Sequence, residues 1–133
     1  MDVSLREQVR RRGLARCEYC RLPQSLDILP FQVDHIIATK HHGQTAADNL
    51  ALCCYNDNVY KGPNIAGVDP VTRELTRLFH PREDDWSEHF VWNGPELIGQ
   101  TAIGRTTIDV LNINQPDRLE HRRLLIKAGL LPR

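Results

Sequence analysis

Val33-Asp34-His35-Ile36, Asn49-Leu50 and Leu52-Cys53-Cys54-Tyr55-Asn56-Asp57-Asn58-Val59-Tyr60-Lys61-Gly62 are the segments whose reading decides the fold. Phe31, Gln32 and Val33 alternate apolar and polar, which marks a short strand delivering Asp34 and His35 at its end. Residues 38–48 are polar and loop-like. Leu50 to Cys53 form a second short strand, and Asp57 to Lys61 a brief helix stopped by Gly62-Pro63. The local plan is therefore strand, loop, strand, helix. Around it stand Cys17-Glu18-Tyr19-Cys20 on one side and Cys53-Cys54 on the other.

Outward from that segment the chain is simpler. Residues 3–15 read as a helix, with Leu5 and Val9 one turn apart, arginines on the other faces and Gly13 weakening its end. Pro23 and Pro30 bracket an irregular connector. Beyond Pro63, Phe90-Val91-Trp92, Asn93-Gly94 and Leu97-Ile98 read as a hairpin on a tight type I′ turn, with Pro95 leaving the register open. Thr101 to Leu111 and Pro116 to Ala128 read as helices, the second starting on Pro and stopping at Gly129. The fold class is α+β: a ββα core over residues 17–65, an N-terminal helix, and a hairpin-plus-helices extension over 66–133. At 133 residues this makes one domain.

Composition narrows the class further. No apolar run approaches the roughly 20 residues of a membrane span. The N-terminus is charged from the start, with Asp2, Arg6, Glu7 and Arg10 to Arg12, so no secretory leader and a cytoplasmic location are expected. Four cysteines in a reducing compartment suggest metal rather than disulfides. Lys and Arg total 17 against 17 Asp and Glu, so net charge is silent about nucleic acid. The first 21 residues do carry Arg6, Arg10, Arg11, Arg12, Arg16 and Arg21 against Asp2, Glu7 and Glu18. A solvated helix face explains that excess as well as phosphate tracking does.

The residues of the central segment suit phosphodiester cleavage, which needs a base, a cation and groups that hold the phosphate. His35 can act as a base near neutral pH without a large pKa shift. Asp34, on the other side of an extended backbone, offers oxygen to a hard cation such as Mg²⁺ or Mn²⁺, and Asn58 offers a second, neutral oxygen. Lys61 shares a helix face with Asn58 and is placed to reach a phosphate. Asn49 is suited to fix the loop or the imidazole tautomer. Singly each signal is weak. An Asp-His pair is most often an ordinary polar pair, an Asn before a helix a cap, and a Lys an exposed charge. The combination inside a cysteine frame carries the reading.

Cys17 to Pro63 resembles the HNH endonucleases, with Cys-x-x-Cys, Val-Asp-His-Ile, Asn-Leu and a final Asn-x-x-Lys-Gly in the family's order. The resemblance implies that His35 is the general base, that Asp34 and Asn58 hold the catalytic metal, and that Asn49 is the middle, structural Asn of the site. It implies DNA as the preferred nucleic acid, products with 5′-phosphate and 3′-hydroxyl ends, and weak sequence preference. It also implies a structural zinc, with one departure: the fourth ligand position holds Asp57 in place of Cys. Zinc accepts carboxylate, so Cys17, Cys20, Cys54 and Asp57 form the expected ligand set, leaving Cys53 as an extra thiol. The bland alternative is a core that packs without metal. His41 and His42 read as a hydrated loop pair, and His42 stands where the family often has Gly.

Two other functions fit parts of the chain. One is a zinc-stabilised nucleic-acid-binding module without catalysis. The other is a structural zinc domain presenting Trp86, Phe90 and Trp92 to a protein partner, although aromatics so spaced are more often the core of a hairpin.

Overall fold

A computed structural model describes residues 1–132. Its contacts resolve into two compact units, Met1–Ile65 with His80–Asp84, and Ala66–Phe79 with Asp85 onward. Among the described residues, no helix is long and apolar enough to cross a membrane.

The first unit is the ββα core with a helix before it. Helix α1 (Val3–Arg12) starts on Asp2, whose carboxylate accepts from Leu5 N at 2.8 Å, and buries Val9. Near its end Arg12 donates to the carbonyls of Ala47 and Leu50, so the helix grips the backbone leading into the second strand. Strands β1 (Gln32–His35) and β2 (Leu50–Cys53) pair antiparallel, with Asp34 opposite Ala51 and His35 opposite Leu50. The pleat turns Asp34 inward and leaves His35 half-buried. Every residue of β2 is buried, with Tyr19, Phe31 and Ile36 in the same unit's core. Helix α2 (Tyr55–Lys61) is capped by the Cys54 sulfur and ends at Gly62, whose N–H donates to Asn58 O.

The loop expected over residues 38–48 is bounded by single 3₁₀ turns at Thr39–His41 and Ala47–Asn49. It doubles back tightly enough that a Cβ at Gly43 would overlap the Ile37 carbonyl, so only glycine fits there.

The second unit opens on a hairpin, β3 (Ala66–Val68) with β4 (Leu75–Arg77), that the sequence pattern did not announce. Asp69 builds its turn, accepting from Val71 N and Thr72 Oγ1 and pairing with Arg105 at 2.8 Å. After α3 (Trp86–His89) come β5 (Phe90–Asn93) and β6 (Glu96–Gly99), then α4 (Ala102–Val110) and α5 (Pro116–Lys127). The β5–β6 turn departs from expectation. Asn93 pairs with Glu96, so the two-residue loop is Gly94-Pro95 rather than Asn93-Gly94. A type I′ turn needs positive φ at both central residues, which Pro95 cannot adopt. Gly94 takes the single positive φ, +59°, in the position that a type II′ turn reserves for glycine.

Candidate active site and metal centre

Four ligand groups converge in the first unit. Sγ of Cys17, Cys20 and Cys54 and a carboxylate oxygen of Asp57 all lie within 4.8 Å of one another, and all four residues are buried. The knuckle reaches this geometry because Arg21 adopts positive φ, letting Arg21 N close on Cys17 O and Cys17 N on Leu22 O. Glu18 seats it on β2: its N–H donates to Leu52 O, and its carboxylate accepts from Leu52 N and pairs with Arg82.

The donor set fits zinc. A tetrahedral Zn–S distance of about 2.3 Å places neighbouring sulfurs about 3.8 Å apart. Cys20 Sγ and Cys54 Sγ are separated by 3.8 Å, and Cys17 Sγ lies 3.1 Å from Asp57 Oδ2. Burial pushes the Cys17 thiol up, but hydrogen bonds from Cys20, Cys53 and Cys54 outweigh it and hold it well below its ordinary value. Cys54 is pushed the other way, by hydrogen bonds with Cys17 and Cys20 and then by burial. Cys53 lies outside this ligand set, buried on β2 opposite Gln32.

Asp34, His35 and Asn58 line a second feature, an open cleft of about 270 Å³ shared with Val33, Ala38, Thr39, Lys40, Gly62 and Pro63. Asn49 stands behind it. Its amide accepts from Ile37 N and donates to the carbonyls of Ile37 and Gln44, and its own carbonyl accepts from Ile36 N. One side chain therefore closes the loop that follows His35. The His35 imidazole meets Thr45 at Nε2, 2.8 Å from Oγ1.

Lys61 differs from expectation. It was expected to share the Asn58 face and reach a phosphate, but the structure buries it to 1% exposure. Its ammonium contacts Asp34 at 3.1 Å and donates to the carbonyls of His35 and Ile36, both at 3.1 Å. The helical spacing put it near the site, and the carboxylate beneath drew the charge inward. Burial holds the Asp34 carboxyl above its ordinary value, even though Lys61 and a hydrogen bond from Tyr19 pull it down. Lys40, exposed on the cleft wall, is a cation that the motif reading passed over, as it did Tyr19 and Thr45. Nothing in their local spacing distinguishes these three from ordinary loop and knuckle residues. His41 and His42 are exposed in the loop, and neither belongs to the buried cluster.

Known proteins point the same way. The HNH endonuclease family model matches residues 17–64. A curated relative, the Septu protein PtuB of Bacillus thuringiensis, is 28% identical over 113 residues. That match takes in 84% of this chain but only 41% of the relative's length. No solved structure matches. Residues 17–64, which hold both the cluster and the cleft, are thus similar to the HNH endonucleases, and the chain spans less than half the length of the curated relative it matches.

Proposed function

We propose that the protein is a metal-dependent endonuclease that hydrolyses phosphodiester bonds in DNA. The observation that carries the reading is that His35, Asp34 and Asn58 line one open cleft while Asn49 closes the loop behind it. His35 removes a proton from water, and the resulting hydroxide attacks phosphorus in line with the departing 3′ oxygen. Asp34 and Asn58 supply the hard oxygen donors of a catalytic site. A divalent cation there, Mg²⁺ or Mn²⁺, would neutralise charge on the pentavalent phosphate and the leaving oxygen. Thr45 holds the imidazole, and Lys40 replaces Lys61 as the cation available to a phosphate. Cys17, Cys20, Cys54 and Asp57 hold a structural zinc that keeps the small core in shape. The products carry 5′-phosphate and 3′-hydroxyl ends.

A plasmid-nicking assay with and without Mg²⁺ tests this, using wild type and His35→Ala. Nicks that depend on metal and on His35, and that ligase can seal, support the reading. Binding without cutting would instead assign an inactive nucleic-acid-binding module.

A further inference from the structure

We infer that Tyr19 is a positioning residue that orients Asp34 for its metal, and so links the cysteine cluster to the cleft. The inference rests on the reading of Asp34 as a ligand of the catalytic cation.

Tyr19 occupies the third position of the Cys17–Cys20 knuckle, between two of the clustered thiols, and its ring is fully buried. Its hydroxyl donates to Asp34 Oδ2 at 2.8 Å. A phenol carries one proton, so this donation fixes the direction of the O–H. On the other side, Lys61 Nζ lies 3.1 Å from the same Oδ2 and 3.4 Å from Oδ1. Rotation of a carboxylate about its last bond is soft. Tyr19 donates to Oδ2 and Lys61 to Oδ1, so a donor on each oxygen locks that rotation, with Oδ1 the more loosely held of the two. Asp34 lines the cleft beside His35 and Asn58, where an oxygen with spare lone pairs can meet a cation. The backbone carrying Tyr19 is set by the knuckle turn, and the knuckle by its cluster and by Glu18 on β2. Order in the cluster thereby reaches the carboxylate through one rigid ring.

The test uses the zinc-loaded full chain and reads Mn²⁺ binding by electron paramagnetic resonance without DNA, alongside the Mg²⁺ dependence of nicking. Tyr19→Phe keeps the ring and removes only the hydroxyl. Loss of a partner that orients a ligand weakens metal binding by about 10–100-fold. Tyr19→Phe should therefore weaken Mn²⁺ and raise the Mg²⁺ needed for half-maximal cleavage in that range. The rate at saturating Mg²⁺ and the zinc content should be retained. Tyr55→Phe, on the exposed side of α2, should change neither. Unchanged or tighter Mn²⁺ binding in Tyr19→Phe overturns the inference. So does loss of zinc or of a cooperative melt, since the hydroxyl would then serve the knuckle alone. Asp34→Ala separates the two readings. Mn²⁺ binding that survives it removes Asp34 from the metal site and the proposed mechanism with it. Binding lost in Asp34→Ala yet normal in Tyr19→Phe removes only the role of Tyr19.

Discussion

Lys61 in the first unit and Arg122 in the second are both buried cations, and the contacts described for them differ in kind. Lys61 meets a carboxylate, Asp34, which also lines an open cleft. Arg122 donates to the carbonyls of Pro95 and Ile113 and to Asn114 Oδ1, with its guanidinium over the Trp92 ring. Its neighbour Arg118 likewise spends donors on Leu111 O and Asn112 O. In the second unit, then, buried charge closes turns and caps helix ends, a structural use. In the first, buried Asp34, Asp57 and Lys61 converge with thiols and an imidazole on two ligand-ready places. Burial of charge marks function only where the partners leave donor atoms for something else.

The contrast is most exposed to failure at the cysteine cluster. Structural zinc contributes on the order of 10 kcal/mol to folding of small domains, and less where a carboxylate replaces a thiolate. Purified protein should contain about one equivalent of zinc. Chelation should abolish amide protection across residues 17–64 while α4 and α5 keep theirs, as read by hydrogen exchange. Asp57→Cys should tighten zinc, and Cys53→Ser should matter far less than Cys54→Ser. Equal cooperative melts with and without metal would mean that the cluster holds no ion.

Lys61→Met comes next. Removing one partner of a buried ion pair costs about 3–5 kcal/mol, because the other charge stays behind. A urea melt reads this directly. Asp34 already sits above its ordinary value of 3.8 in the folded state, and would rise further without Lys61. A carboxyl whose folded pKa is raised binds its proton more readily folded than unfolded. Its contribution is therefore most favourable below the unfolded value and worsens as pH climbs through the folded one. The Lys61→Met deficit should accordingly shrink on acidification. A variant of wild-type stability but weaker DNA binding would return Lys61 to the phosphate.

His35→Ala should lower the cleavage rate by about 10²–10⁴-fold and leave the melt and DNA affinity nearly unchanged. Cleavage at the wild-type rate would end the proposed mechanism. Arg122→Met, which strands the Pro95 and Ile113 carbonyls and Asn114 Oδ1, should cost about 1–3 kcal/mol and leave the rate per folded molecule alone. A larger loss than that of Lys61→Met would erase the distinction between the units. The smallest expected effect is His42→Gly. His42 holds φ +67°, a left-handed conformation in which a side chain is strained, so glycine should be neutral or stabilising by less than about 1 kcal/mol.

Much of the fold was legible because its signals are local. Apolar alternation around Val33 and the buried run at Leu50 to Cys53 announced the paired strands, and Pro116 with Gly129 bounded α5. Asp34 and His35 could be placed on opposite faces from strand period alone. The β3–β4 hairpin escaped notice because its strands are three residues each, too short to show a period. The β5–β6 register escaped because Asn-Gly is a strong turn signal that one following proline overrules.

By itself, the sequence determined which chemistries were available and in what order along the chain: thiols, acid, imidazole, amide, lysine. Residue type and short spacing suffice for that, since strand and helix periods reach only to neighbours a turn or a pleat away. Tertiary structure alone decided where each polar group would spend its hydrogen bonds. The turn of Lys61 toward Asp34, the reach of Tyr19 across 15 residues to that same carboxylate, and the closing of Ile37 by Asn49 all depend on long-range packing. A buried polar atom must take whichever partner the packing brings within reach, and no local pattern records which one that will be.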